Sequence, residues 1–201
     1  MGKGGRRTDG PINLRINAWT NHSSMNLSLT SPSFRSGEPI PRAHTDHGAG
    51  LSPPLAWEGV PRGAKTLALI MEDLDAPDPR TLYRSFAHWV VYNLQASRPA
   101  LPPGLTADNA GGGVRFGYNS DRQPRYLGPR PPASALPHRY AFRLYALDST
   151  VGDGNGSTAA VVGPPAIGLA TEPLTAEDLR LAMTGHVLDV AELIATHDEY
   201  L

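Results

Sequence analysis

The segment Glu72-Asp73-Leu74-Asp75-Ala76-Pro77-Asp78-Pro79-Arg80 sets four carboxylates within seven residues. Two prolines stop the preceding strand from continuing, so the acids are presented on a stiff turn. A carboxylate in such a turn can cap backbone N–H groups, which is its plainest use. Beside a histidine it can instead orient the ring and fix its tautomer. Calcium is a poor match, because the glycine of the sharp turn and the closing bidentate glutamate of an EF-hand are both missing. Two histidines are available to meet the acids. His88 lies near the start of the apolar run Phe86 to Leu94, and His138 begins the run that ends at Leu147. Each shares strand parity with bulky apolar neighbours, Phe86 and Val90 in one case, Tyr140 and Phe142 in the other. Either is a buried, neutral packing residue or a pocket wall that offers N–H to an anion. Arg122, Arg125 and Arg130 precede His138 and would add positive potential near such a pocket.

These residues need strands to position them. Leu67 to Met71, within a strand from Lys65 to Met71, feeds the acid turn. Phe86 to Leu94 is apolar on both faces, which predicts a central strand covered on both sides. Asn26 to Thr30 alternates as a short strand with Leu27 and Leu29 inward. Ser52-Pro53-Pro54-Leu55-Ala56-Trp57 is extended. Residues 95–137 read as a long irregular region, which in a compact domain is usually functional. Only the C-terminus reads as helix. Thr175 caps a helix through Met183 that Gly185 ends, and Val187, Leu188, Ala191, Ile194 and Ala195 give a second stripe at helical spacing. His186 and His197 then fall on terminal helices as surface or packing residues. The expected fold class is mainly β, an antiparallel sheet or sandwich with C-terminal helices at one end.

Other chemistry finds little support. His44, Asp46 and His47 share a polar loop, yet no third histidine stands at diagnostic spacing, so no metal site is expected. There is no Gly-x-Ser-x-Gly, phosphate loop or dinucleotide fingerprint. The 201 residues suit one domain over 26–201, preceded by an N-terminal arm over 1–25. Glycine (21) and proline (20) make up about a fifth of the chain and leave little room for long helices. A net charge of -1 offers no global basic field for nucleic acid. The Gly/Arg-rich N-terminus lacks an apolar region after it, no run approaches the roughly 18 apolar residues of a membrane span, and cysteine is absent. A cytoplasmic location is expected.

Several of these motifs, taken in order, resemble one family. They are Ser52-Pro53-Pro54-Leu55-x-Trp57-x-Gly59, the acid turn, His88-Trp89-Val90-Val91-Tyr92-Asn93-Leu94, Gly128-Pro129-Arg130-Pro131-Pro132, His138-Arg139-Tyr140 and Leu144-Tyr145-Ala146-Leu147. Met183-x-Gly185-His186-Val187-Leu188 follows. Together they resemble the phosphatidylethanolamine-binding protein family, in its bacterial Raf-kinase-inhibitor-like branch. The resemblance implies two sheets with C-terminal helices and a small surface pocket for an anionic ligand, phosphate or a phospholipid head group. By motif it assigns Asp73, Asp75, Pro77, His88, Pro132, His138 and Tyr140 to that pocket, with no cofactor. Leu74 replaces a proline of the family's turn, and Arg130 stands where bacterial relatives often carry cysteine. The resemblance also implies a homodimer and, more remotely, a regulatory role towards a protein partner such as a kinase. Two alternatives remain open at this point: an enzyme using His138, His88 and Asp73 as general acid and base, and an interaction protein acting through residues 1–25.

Overall fold

The computed structural model describes residues 26–76, 85–132, 136–152 and 172–198. Pro77, Asp78 and the arm over residues 1–25 lie outside them. Strands follow in chain order as β1 (Ser28–Thr30), β2 (Leu55–Glu58), β3 (Thr66–Asp73), β4 (Phe86–Gln95), β5 (Ala100–Leu101), β6 (Arg115–Phe116), β7 (His138–Leu147) and β8 (Val187–His197). One helix, α1 (Ala176–Met183), precedes β8. A small sheet has the order β1-β2-β5 and a larger one the order β6-β4-β3-β7-β8. Every pairing between these strands is antiparallel.

Parity along β3 builds both layers. Leu67, Leu69 and Met71 face the small sheet, where Leu29, Leu55, Trp57 and Leu101 meet Trp89, Val91, Phe142 and Leu144 in one core. Ala68 and Ile70 face the other way, onto Val90, Tyr92, Leu147 and the α1 residues Ala176, Leu179 and Met183. All eight residues of β3 are buried, as expected of a central strand with an apolar cover on each side. The strand outruns its sequence reading and takes in Glu72 and Asp73. Alternation therefore separates the first two acids, with Asp73 on the Met71 side and Glu72 on the α1 side. There Glu72 accepts from Arg143 (3.1 Å), from Ser85 (2.9 Å) and from Arg180 of α1.

Two expectations are corrected. The second C-terminal helix is the strand β8, which pairs with β7 from His138↔His197 to Leu147↔Val187. Its stripe also satisfied a helical period, but Ala191, Leu193 and Ala195 alternate inward at period two. The partner edge of β7 decided between the two. The first helix ends as expected, with the capping box of Thr175 and Asp178 at its start and Gly185 at a φ of 82° after it. His197 accordingly sits on a strand and is fully buried, while His186 follows α1 and pairs with Asp148 at 2.8 Å.

The second correction concerns β4. Simple alternation puts Val90, Tyr92 and Leu94 on the His88 face. The ladder instead slips between Met71↔Trp89 and Glu72↔Ala87, and again between Leu67↔Leu94 and Leu69↔Val91. Each slip is a β-bulge with one extra residue on β4, and Asn93 takes a φ of 58° at the second. Val90 and Tyr92 consequently pack under α1, while Trp89, Val91 and Leu94 face the small sheet. His88 is the extra residue of the first bulge.

Candidate functional site

Asp73 ends β3 opposite Tyr140 of β7. Its Oδ1 accepts from the backbone N–H of Asp75 (2.9 Å) and of Ala76 (3.0 Å), closing the turn as an Asx turn. Its Oδ2 accepts from Nδ1 of His138 at 2.8 Å. That bond leaves Nε2 as the second nitrogen of the His138 ring. Asp75 is occupied elsewhere. It accepts from Arg139 through the backbone N–H (2.8 Å), Nε (3.0 Å) and Nη2 (2.8 Å). The Arg139 guanidinium holds the Asp75 carboxyl below its ordinary range. This pairing fixes the turn against β7.

The bulge at His88 turns both its ring and its carbonyl towards the segment after Arg125. His88 Nδ1–H donates to the Leu127 carbonyl at 2.9 Å, and the Leu127 N–H donates to the His88 carbonyl at 3.0 Å. The ring packs 5.0 Å from Phe86 and edge-on, 5.3 Å, to Tyr140. Burial lowers the His88 pKa, so the ring is neutral at pH 7 and Nε2 is an acceptor. The Tyr140 hydroxyl is fully buried and forms no hydrogen bond of ordinary length, although the Asp73 carboxylate opposite is near enough to act on it. Burial, and then the charge of Asp73, push this phenol far above its usual range, so it stays protonated and able to donate.

Two loops close the site. Asp46 N–H donates to the Pro129 carbonyl at 3.1 Å, and Tyr126 Oη–H donates to the His44 carbonyl at 2.6 Å. At Gly128 an added Cβ would stand 2.6 Å from the Asp46 nitrogen, so only glycine allows this approach. At the rim, Arg130 bonds Asp46 at 3.1 Å. The cavity so formed has a volume of about 320 Å³.

Asp73, His88, Pro132 and Tyr140, all expected from the sequence, line this cavity. Asp75 and His138 do not. The first is turned to Arg139, and the second bonds the Asp73 carboxylate. The wall also takes in Phe86, Leu127, Gly128 and Pro131, and three charged groups, Asp46, Asp121 and Arg130. The expected cluster of arginines is reduced to Arg130. Arg122 lies over the Tyr118 ring at 5.1 Å and Arg125 Nε donates to Gln123 at 2.7 Å. Asp46 was visible only as loop polarity, and Asp121 gave no signal, because each reaches the site through a loop. The Gly117 and Ser120 amides bond the Val90 and Ala87 carbonyls, extending the β6 side of the sheet up to Asp121. His44, from the same loop as Asp46, is a satisfied interior histidine, with Leu51 O at 3.0 Å and Ser33 Oγ at 3.3 Å.

Comparison with known proteins matches residues 30–198 to the model of the phosphatidylethanolamine-binding protein family. An uncharacterised-family (UPF0098) protein of Chlamydia pneumoniae is 38% identical over 173 residues, covering 86% of this chain and 99% of its own. A relative in Methanothermobacter thermautotrophicus is 36% identical over 172 residues, covering 85% and 98%. The crystal structure of a putative phosphatidylethanolamine-binding protein homolog from Chlamydia trachomatis superposes with a TM-score of 0.70 at 35% identity, over 87% of this chain and 99% of that one. Escherichia coli YbcL shares the fold, with a TM-score of 0.68 at 24% identity over 86% and 98%. With the two-sheet architecture and the ordered motifs around Asp73, His88 and Tyr140, these matches make the chain a member of the phosphatidylethanolamine-binding protein family.

Proposed function

We propose that this chain is a binding protein whose cavity takes a small phosphate-bearing molecule, free or as a lipid head group. The observation that carries the reading is the Tyr140 hydroxyl, buried in the cavity wall without a hydrogen bond of ordinary length. An unpaired buried donor costs about 1–3 kcal/mol, and a ligand oxygen would remove that cost. His88 Nε2 is the complementary group, an acceptor that a P–O–H can serve. Arg130 reaches from the rim to a charged oxygen. Asp73 already accepts three hydrogen bonds and is spoken for. The two further carboxylates, Asp46 and Asp121, favour a singly charged phosphate over the dianion, and they suit a head group that carries its own cation.

The same geometry favours binding over catalysis. His138, which the Asp73 carboxylate holds, is not among the residues that line the cavity. A regulatory role towards a protein partner would be a consequence of ligand occupancy. The reading is tested by calorimetric titration with phosphoethanolamine and inorganic phosphate. Tyr140→Phe is expected to weaken both by about fivefold or more while the fold is kept. Undiminished affinity in Tyr140→Phe would remove the basis of the proposal.

A further inference from the structure

The end of β8 carries a histidine that the cavity does not use. His197 is fully buried, and neither ring nitrogen has a hydrogen-bond partner. A neutral imidazole has one N–H and one lone pair, so both a donor and an acceptor are stranded in the interior. Each such group costs about 1–3 kcal/mol when unsatisfied, and an apolar side chain would fill the same space without that cost. Against it stands a second imidazole, His47, at 5.9 Å between ring centres and tilted by 55°. His47 is half-buried on the loop that follows Arg42–His44.

Both rings ride on anchored backbone. The Ile40 N–H donates to the Thr196 carbonyl at 2.8 Å, and the Thr196 N–H to the Glu38 carbonyl at 3.0 Å. The His47 carbonyl accepts from Arg42 Nε at 3.1 Å. The spacing has a chemical meaning. With Zn–N near 2.0–2.1 Å and a ring centre roughly 1.1 Å farther on, two imidazoles on one tetrahedral ion place their centres about 5.1 Å apart, so these rings would close by under about 1 Å to share one.

We propose that His47 and His197 form a two-imidazole site for a late first-row divalent ion such as Zn2+, with water completing the coordination. Imidazole suits Zn2+, Cu2+ and Ni2+ and does not suit Mg2+. Half-buried His47 gives the ion its way in. Among the described residues no three histidine, aspartate or glutamate side chains stand together to hold an ion, so the site rests on these two rings. His138 is the cross-strand neighbour of His197, and its Nδ1 is held by Asp73. In the sequence His47 stands beside His44 and Asp46 without a third histidine at diagnostic spacing, and His197 reads as a surface or packing residue of a helix.

The test is calorimetric titration of the full chain with Zn2+ alone, and with Mg2+ in parallel. One Zn2+ per chain is expected, without Mg2+ uptake. His47→Ala should weaken Zn2+ by at least about tenfold, whereas His186→Ala should leave it unchanged. Zn2+ should raise the melting temperature of wild type but not of His47→Ala. His197→Phe should lose the ion as well, and if that variant does not fold, His47→Ala decides alone. Failure of the wild type to bind Zn2+, or equal binding by His47→Ala, would overturn the proposal.

Discussion

Tyr140 keeps a hydroxyl that forms no hydrogen bond of ordinary length, beside the Asp73 carboxylate that His138 already holds. Replacing Tyr140 with phenylalanine removes a buried polar atom and keeps the ring that packs on His88. Tyr140→Phe should therefore hold the stability of the free protein or raise it by about 1 kcal/mol, as read by urea denaturation. A loss of more than that would mean the hydroxyl is already satisfied. His88 makes a second argument at this scale. Its folded pKa lies below the ordinary 6.5 because burial disfavours the charged ring. The unfolded chain thus binds the extra proton first, and stability falls as pH drops below about 6.5, by at most about 1.4 kcal/mol per pH unit for each such ring. His197, shifted the same way, adds to that slope. Denaturation at pH 7.5 and 5.5 should show the loss in wild type and a smaller one in His88→Gln. Equal losses would contradict the burial account.

At the scale of elements, the site depends on a bulge and on one close approach between loops. The extra residue in β4 frees His88 to grip Leu127 through ring and carbonyl at once, and Gly128 lets that loop lie against Asp46. Gly128→Ala forces the two loops apart. We expect a destabilisation of about 1–3 kcal/mol and a larger proportional loss of ligand affinity, measured by melting and calorimetry on the same sample. Unchanged affinity would show that the Asp46 loop is no part of the site. Much of this scale was legible beforehand. The acid turn, the strand-end histidines and the Pro132 and Tyr140 motif carry their meaning locally, in residue type and spacing. What escaped depends on partners far along the chain. Val187 to His197 satisfied a helical stripe as well as a strand, and only the edge of β7 settled it. The bulges of β4 arise from its ladder with β3, and no periodicity within Phe86 to Leu94 announces them. Asp121 reaches the cavity wall by the fold of its loop alone.

Across the whole molecule, β3 is the shared wall of two cores. One face meets the small sheet and the other meets α1. Glu72 ties α1 to the large sheet, since Arg143 of β7 and Arg180 of α1 both donate to it. Glu72→Gln should cost about 2 kcal/mol, below the usual 3–5 kcal/mol for a broken buried pair, because both arginines retain access to solvent. Leu179→Ala beneath α1 should cost about 2–5 kcal/mol and still give one cooperative transition. Two separate transitions in calorimetry would show that the helix layer is an independent unit. Among the described residues no helix is long and apolar enough to cross a membrane. The most direct measurement of the central claim is the imidazole NMR spectrum during titration with phosphoethanolamine. A shift is expected at His88, a smaller one at His138 relayed through Asp73, and none at His44 or His186. A saturating titration that leaves His88 unmoved would contradict that claim.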